Sequence, residues 1–380
     1  MGRQMLNCSR RKLLRAATSL AAVGVCGGVA TASVGMSQPA PGLAAHAAAR
    51  GMFYGCAIDH DTLAGPPAAL AHVPAECSMV VGEYSFKWDS TQPARNDFSF
   101  TRADAVMDFA ERNRLRVRGH NLLWHEAVPA WLPKILTSAN GEALLTQHIE
   151  AVAGRYRGRM AHWDVVNEVV QPDDMQPLNL RDTLWTRALG ARCLDIAFEA
   201  CARADPTALR VLNEFGTDYA IPWQERKRAA LLTLLADLVA RRVPIQAVGL
   251  QAHLDAAEVT LDQAVLAKFV ADIASMGLKI VVTELDVRDD RLPADPVARD
   301  IAVADHAGAW LDAVLPNPAV LGVLTWGLSD KRSWLDAKFP RPDGLPQRPL
   351  PLDDKMSRKR LWSSIAAGFD GLTPRLANRL

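Results

Sequence analysis

The chain has 380 residues, a formal net charge of +1 at pH 7, and 24 glycines and 23 prolines. This length fits one large domain or two ordinary ones, and the scattered glycines and prolines do not suggest an array of linkers. Because basic and acidic residues nearly cancel, no overall field favours binding to nucleic acid or to an anionic membrane. The composition therefore indicates one large α/β domain with an uncharged partner.

The first residues have the features of an export signal. Arg10 and Arg11 precede an apolar stretch rich in alanine and glycine, and a small-residue pattern ends at Ala32. The run SRRKLL from Ser9 resembles the bacterial twin-arginine motif. A membrane anchor is the alternative, but glycines interrupt the apolar run before it reaches the roughly 20 residues that a spanning helix needs.

We therefore predict a twin-arginine-type signal peptide over residues 1–32, an Ala/Pro-rich segment over 33–50 and a folded domain over 51–370. The mature protein is expected to be periplasmic or secreted, without stable membrane association after signal cleavage.

Four cysteines follow the predicted signal. Cys193 and Cys201 are predicted to share one helix, about 12 Å apart, which is too far for a disulfide. They are therefore expected to be buried thiols. Cys56 and Cys77 could form a disulfide in an oxidising compartment, and the sequence leaves this pairing open. No CxxC pair or His/Cys cluster has zinc spacing, so a structural metal is not expected.

Short apolar runs alternate with longer amphipathic segments along the rest of the chain. The predicted strands are MFYGCAI from Met52, SMVVGE from Ser78, RVRGHNL from Arg116, HWDVVNE from His162, LRVLNE from Leu209, QAVGLQAH from Gln246, IVVTELD from Ile280 and VLGVLTW from Val320. Helical periodicity is clearest from Thr101, Leu144, Gln224 and Leu261, and the last of these helices is predicted to end at a Gly277 cap.

Eight buried strands, each followed by a helix, predict a single (β/α)8 barrel, the TIM-barrel fold, with its functional residues at the C-terminal ends of the strands. A doubly wound open sheet is the alternative. It is less favoured because no glycine-rich phosphate loop follows the first strand.

Polar and aromatic side chains follow the predicted strands at this end. They are Glu83, His120, Trp124, His125, Asn167, Glu168, Asn213, Glu214, Gln251, His253, Glu284, Asp286 and Trp326. Glu168 and Glu284 each come directly off an apolar strand with no adjacent lysine or arginine, and a carboxylate is costly to bury without a role. Because the fourth and seventh strands face each other across the mouth, these two carboxylates could flank one bond, as glycoside hydrolysis requires.

The residues resemble glycoside hydrolase family 10, the retaining endo-β-1,4-xylanases. The matching stretches, within about residues 51–367, are KWDSTQP, RGHNLLWHEAVPAWL, WDVVNE, DPTALRVLNE, VGLQAHL, VVTELDV, LTWGLSDKRSWL and PLPLD. The resemblance implies that residues 51–370 form a catalytic barrel that hydrolyses xylan or xylo-oligosaccharides. A monomer that needs no cofactor or metal is expected.

The resemblance also implies residue roles. Glu168 would be the general acid/base and Glu284 the nucleophile, with His253 orienting Glu284 and Asp286 fixing the tautomer of His253. The residues expected to bind sugar are Glu83, Lys87, His120, Trp124, Asn167, Gln251, Trp326 and Trp334. Tyr84 stands where many relatives have asparagine, which predicts a changed contact to the more distant non-reducing sugar.

Other functions fit part of this pattern. A related β-glycanase or a transglycosylase would use the same two glutamates, because pocket shape sets specificity. A non-catalytic carbohydrate-binding barrel would share the fold, but the presence of both Glu168 and Glu284 argues against it. A metal-dependent barrel hydrolase is disfavoured because no predicted strand ends in a His-x-His pair.

Overall fold

The structure is a computed structural model that describes residues 40–65, 70–258 and 260–375. The predicted signal peptide, residues 1–32, lies outside the described residues.

Parallel strands form a closed barrel. The strands are β1 Phe53–Ile58, β2 Met79–Gly82, β3 Arg116–Gly119, β4 His162–Asn167, β5 Leu209–Glu214, β6 Ala247–Leu250, β7 His253–Asp255, β8 Lys279–Arg288 and β9 Val320–Thr325. Neighbours pair in the order β6-β5-β4-β3-β2-β1-β9-β8, and β6 also pairs with β8, which closes the ring. The predicted (β/α)8 barrel is therefore confirmed.

Two short strands, β6 and β7, together occupy the sixth strand position of the barrel. β6 and β7 both pair in parallel with β8, and the two residues between them interrupt the ladder. One of these residues, Ala252, has a left-handed backbone with φ of 59°. The run QAVGLQAH was predicted as one strand. The structure divides it into β6 and β7, and the barrel still has eight strand positions.

Helices surround the barrel. They are α1 Leu43–Ala48, α2 His60–Ala64, α3 His72–Glu76, α4 Trp88–Thr91, α5 Thr101–Arg112, α6 Gly141–Arg155, α7 Leu184–Leu189, α8 Arg192–Ala204, α9 Pro222–Ala240, α10 Gln263–Ser275, α11 Pro296–Val314, α12 Leu335–Lys338 and α13 Arg360–Asp370. The four predicted helices correspond to α5, α6, α9 and α10. Gly277 follows α10 with φ of 81°, as a C-terminal cap requires.

Most of the strands are buried on both faces, which explains why they read as apolar runs. Inside the barrel, Phe53, Val211, Val281 and Leu324 belong to one buried cluster. A larger cluster fills the layer between strands and helices. Cys193 and Cys201 lie on α8 as buried free thiols, as predicted, and Cys56 and Cys77 are also free and buried.

Helix α1 closes one part of the outer layer and lies within residues 33–50. Its Leu43 side chain is fully buried, and the Leu43 N–H donates to Glu76 Oε2 at 3.0 Å. The His46 ring pairs with the carboxylate of Asp370 at the end of α13. Within the described part of the chain, no helix is long and apolar enough to span a bilayer.

Candidate active site

A cleft of about 740 Å³ opens at the C-terminal ends of the strands, where (β/α)8 enzymes carry their sites. Among the residues that line it are ten of those predicted for the site, namely Glu83, Lys87, His120, Trp124, Glu168, Gln251, His253, Glu284, Trp326 and Trp334. The other two, Asn167 and Asp286, lie behind the cleft surface and are 2% and 0% exposed. The fold thus brings together side chains that are up to 251 positions apart, from Glu83 to Trp334.

Glu168 follows β4 and its side chain is half-buried. Its backbone has φ of 56°, and its N–H donates to the Asn213 carbonyl at 2.9 Å. Trp124 Nε1 donates to one carboxyl oxygen and Gln251 Nε2 to the other, both at 3.0 Å. Both partners are neutral donors. A carboxyl group held in this way at a cleft surface can exchange a proton with a bound molecule.

Glu284 lies on β8 and is only 4% exposed. Asn213 Nδ2 donates to its Oε1 at 2.6 Å, and His253 Nε2 lies 3.3 Å from its Oε2. Burial raises the pKa of Glu284, but the His253 hydrogen bond and the positive charges of neighbouring side chains outweigh burial and lower this pKa to about 2. Glu284 is therefore an ionised carboxylate at ordinary pH.

His253 connects Glu284 to a second carboxylate. Its Nδ1 lies 2.8 Å from Asp286 Oδ1, and the other oxygen of Asp286 accepts a hydrogen bond from Trp334 Nε1 at 2.7 Å. Burial lowers the pKa of His253, but Asp286 and Glu284 raise it to about 10. Because the ring is then an imidazolium, both nitrogens donate, one to each carboxylate.

Asn213 has a central position that the sequence did not reveal. Its Nδ2 donates to Glu284 Oε1 and also to Asn167 Oδ1 at 2.8 Å, and its Oδ1 accepts from Thr283 Oγ1 at 2.7 Å. A Cβ at Gly249 would lie 2.1 Å from Asn213 Oδ1, so a glycine there leaves room for the amide. The available signal was that Asn213 is the penultimate residue of β5 and the register partner of Asn167, the last residue of β4.

In the described part of the chain, the side-chain amide of Asn167 is hydrogen-bonded at its oxygen and not at its nitrogen. Its Oδ1 accepts from Asn213, while its buried Nδ2 has no hydrogen-bond partner among the described residues. A buried donor without a partner costs about 1–3 kcal/mol. This arrangement suits a hydroxyl group of a bound molecule that would complete the pairing.

The wall formed by β2 and β3 is polar and aromatic. Lys87 Nζ lies over the Trp124 ring, 4.5 Å from its centroid, and over the Tyr84 ring at 4.9 Å. Burial lowers the pKa of Lys87. Burial, together with the charge of Asp59, raises the pKa of Glu83 to about 7. The Tyr84 hydroxyl donates to Asp89.

His120, Trp326 and Trp334 form another part of the cleft wall. His120 Nδ1 lies 2.8 Å from Asp164 Oδ2, and its ring packs edge-on against Trp326 with centroids 5.3 Å apart. Trp334 packs edge-on against His253 at 5.0 Å. Within residues 40–65, 70–258 and 260–375, no group of three or more His, Cys, Asp or Glu side chains could hold a metal ion.

The fold and the site together define a (β/α)8-barrel glycosidase, because a buried ionised carboxylate and a cleft-facing carboxyl group come from the facing strands β8 and β4. Residues 42–367 match the model of glycosyl hydrolase family 10. The chain belongs to this family, and the resemblance noted in the sequence is confirmed.

Individual relatives agree with this assignment. The chain is 29% identical to endo-1,4-beta-xylanase A of Phanerodontia chrysosporium over 320 residues. This matched region covers 84% of this chain and 74% of the relative. It is 30% identical to endo-1,4-beta-xylanase 3 of Hypocrea jecorina (strain QM6a), over 74% and 75% of the two chains. The crystal structure of xylanase 10B from Thermotoga petrophila RKU-1 in complex with xylobiose superposes with a TM-score of 0.79 at 26% identity, covering 88% of this chain and 98% of that one.

Proposed function

We propose that the protein is a retaining endo-1,4-β-xylanase that hydrolyses internal bonds of xylan with Glu168 as acid/base and Glu284 as nucleophile. The observation that carries this proposal is the contrast between the two carboxyl groups of one cleft. His253 and Asn213 hold Glu284 as an anion, whereas Glu168 lies between two neutral donors. Retaining hydrolysis needs one carboxylate that attacks and one carboxyl group that transfers a proton.

In the first step, the Glu284 carboxylate attacks the anomeric carbon. The bond from this carbon to the glycosidic oxygen breaks, and Glu168 gives its proton to that oxygen. In the second step, water attacks the anomeric carbon, Glu168 takes a proton from this water, and the ester bond to Glu284 breaks. The retaining geometry predicts that the two carboxyl groups are about 5 to 5.5 Å apart.

The contacts around the pair support roles for the other residues. The unpartnered Nδ2 of Asn167 is suited to donate to the sugar 2-hydroxyl, a bond that strengthens in the transition state. Trp326 and Trp334 offer aromatic surfaces to the pyranose rings. His120, Trp124 and Gln251 would surround the sugar at the cleaved bond, and Glu83 and Lys87 would contact the next sugar on the non-reducing side.

The relatives support the substrate class. The relatives from Phanerodontia chrysosporium and Hypocrea jecorina are named endo-1,4-beta-xylanases, and the Thermotoga petrophila structure is a complex with xylobiose. Xylan and xylo-oligosaccharides are therefore the proposed substrates. All residues given roles here belong to one barrel, so the mechanism requires no second subunit, and a monomer is part of the proposal.

Export is a second part of the proposal. The twin-arginine-like run from Ser9 and the small-residue pattern ending at Ala32 support cleavage after a signal over residues 1–32. Mass spectrometry of the protein recovered outside the cytoplasm would give a mature N-terminus near residue 33. An intact N-terminus on all exported protein would contradict the cleavage.

The mechanism is tested with two variants. Glu284→Ala should abolish xylan hydrolysis, and Glu168→Ala should regain activity with added azide on an aryl xylobioside, because a good leaving group needs no proton and azide replaces the activated water. Glu199→Ala, an exposed glutamate on α8, is the matched control and should remain fully active. Hydrolysis by either active-site variant at the wild-type rate without additives would refute the assignment.

The substrate is tested by chromatography of the products from xylan, arabinoxylan, glucuronoxylan and cellulose. Internal cleavage of xylan should give xylo-oligosaccharides of mixed length. If cellulose were cleaved faster than every xylan, the related β-glycanase activity would replace the xylanase. If the wild-type protein bound xylan and cleaved none of the substrates, the non-catalytic barrel would be favoured.

A further inference from the structure

An exposed tryptophan lines the cleft on the side away from β2. Trp223 is the second residue of α9 and is 41% exposed, yet it is among the residues that form the cleft wall. A single exposed apolar residue is common on protein surfaces and needs no special role. What distinguishes Trp223 is its place in the wall of the cleft that holds Glu168 and Glu284.

The backbone beneath the ring is shaped to receive it. Gly216 has φ of 69°, a conformation that favours glycine. A Cβ at this position would lie 2.6 Å from the Cη2 and Cζ3 atoms of Trp223. The edge of the indole thus rests directly on the glycine backbone, so any side chain at Gly216 would displace the ring.

The loop that carries this contact, residues 215–221, is held by side chains of α9. Gln224 Oε1 accepts the N–H groups of Asp218 and Tyr219 at 2.6 and 2.7 Å. Arg228 Nη1 donates to the carbonyls of Thr217 and Tyr219 at 3.1 and 2.7 Å. Four hydrogen bonds from one helix fix the loop, so Trp223 needs little ordering when a ligand binds.

Phe215 lies along the chain between Asn213 and Trp223. It directly follows Glu214 at the end of β5, two positions after the Asn213 that contacts Glu284. Lys227 Nζ lies 3.6 Å from the centroid of the Phe215 ring, which fixes the ring against α9. Phe215 also lines the cleft.

The direction of the cleft follows from the proposed roles. Glu83 and Lys87 follow β2, and they are assigned to the sugar on the non-reducing side of the cleaved bond. The loop after β5 lies on a different part of the barrel rim, because β3 and β4 separate β2 from β5 in the ring. Sugars on the reducing side of the bond would therefore pass Phe215 and then Trp223.

We propose that Trp223 is a sugar-binding platform for the reducing-end side of the substrate, beyond the xylose unit next to the cleaved bond. This inference rests on the proposed xylanase function. The faces of a xylopyranose ring present C–H groups with slight positive charge, which suit the negative face of an indole ring. Xylose has no hydroxymethyl group to keep the two rings apart, and a neutral sugar needs no ion pair here.

The inference is tested by comparing a long substrate with a short one. Xylohexaose can reach Trp223, whereas 4-nitrophenyl β-xylobioside places only the nitrophenyl group on the reducing side. For Trp223→Ala, the ratio of kcat/KM on xylohexaose to kcat/KM on the aryl xylobioside should fall about tenfold, the change expected from losing one stacked ring. Trp223→Phe should retain most of the ratio, because an aromatic face remains.

Val239→Ala is the matched control. Val239 is an exposed apolar residue on the same helix, 37% exposed, and 16 residues of helix place it about 24 Å from Trp223. This variant should have the wild-type ratio. A further readout is the bond at which xylohexaose is cleaved, since Trp223→Ala should yield fewer long fragments from the reducing end.

Two results would overturn the inference. If wild-type protein cleaves both substrates and Trp223→Ala keeps the ratio within twofold of wild type, the platform is wrong while the xylanase function stands. If wild-type protein cleaves neither substrate, the proposed function fails, and the inference fails with it.

Discussion

Asn213 offers the sharpest test of how the site controls its nucleophile. The change Asn213→Asp keeps the shape of the side chain and replaces the amide nitrogen, 2.6 Å from Glu284 Oε1, by a carboxylate oxygen. A donor to the anion thereby becomes a second anion. Two carboxylates at this distance cannot both be ionised freely, so they share a proton over part of the pH range.

The size of the effect follows from the contacts. A hydrogen bond to a charged group contributes about 1.5–3 kcal/mol, and about 1.4 kcal/mol corresponds to a tenfold change in an ionisation constant. Loss of the Asn213 bond should thus lower the acid ionisation constant of Glu284 by roughly 10- to 150-fold, so kcat/KM should fall at acidic pH. His253 still donates to the other oxygen of Glu284, which is why complete loss of activity is not expected.

The assay is the pH dependence of kcat/KM on an aryl xylobioside. In the wild-type protein the pKa of Glu284 is lowered to about 2, so its ionisation is complete well below neutral pH. In Asn213→Asp the acidic limb should move up by at least about one pH unit, because the pair now titrates together. Asn213→Ala removes the donor without adding a charge, so it should lower activity with a smaller movement of this limb.

Thr283→Ser keeps the hydroxyl that bonds Asn213 Oδ1, and it serves as a control for packing changes in this part of the barrel. It should behave like the wild type. If Asn213→Asp had the acidic limb and the kcat/KM of the wild type, the role of Asn213 in holding Glu284 ionised would be refuted.

Two further predictions concern stability. The pKa of Glu83 is about 7 in the folded protein, against about 4.3 in an unfolded chain, so the wild type should lose up to about 4 kcal/mol of stability as pH rises between these values. Glu83→Gln cannot ionise, and urea unfolding at pH 4.5 and pH 8 should show its stability relative to wild type increasing with pH; a constant difference would contradict this pKa. Lys227→Met should lower the free energy of unfolding by about 3–5 kcal/mol, because Glu214, 0% exposed, loses the ammonium 2.9 Å away. Lys268→Met, which breaks an exposed pair with Asp272, should cost less than about 1 kcal/mol, and equal losses in the two lysine variants would show that burial does not govern these pairs.

The amino-acid order alone was enough to predict the barrel and its two glutamates. Most strands are buried on both faces, so they appear as apolar runs, and this signal is local. A glutamate that ends such a run is equally visible, because an acidic residue interrupts an apolar pattern. Glu168 and Glu284 could therefore be selected from their immediate neighbours, and the surrounding motifs pointed to the family.

Other features depend on contacts between distant segments. The division of the sixth barrel strand into β6 and β7 at Ala252 follows from pairing with β8, and the residue type at that position does not predict it. Asn213 gains its role from touching Glu284, 71 positions away, and Trp223 gains its position from the Gly216 backbone and the loop fixed by α9. Hydrogen-bond partners and pKa values are set by distances of a few ångströms, and only closure of the barrel brings these atoms within that range.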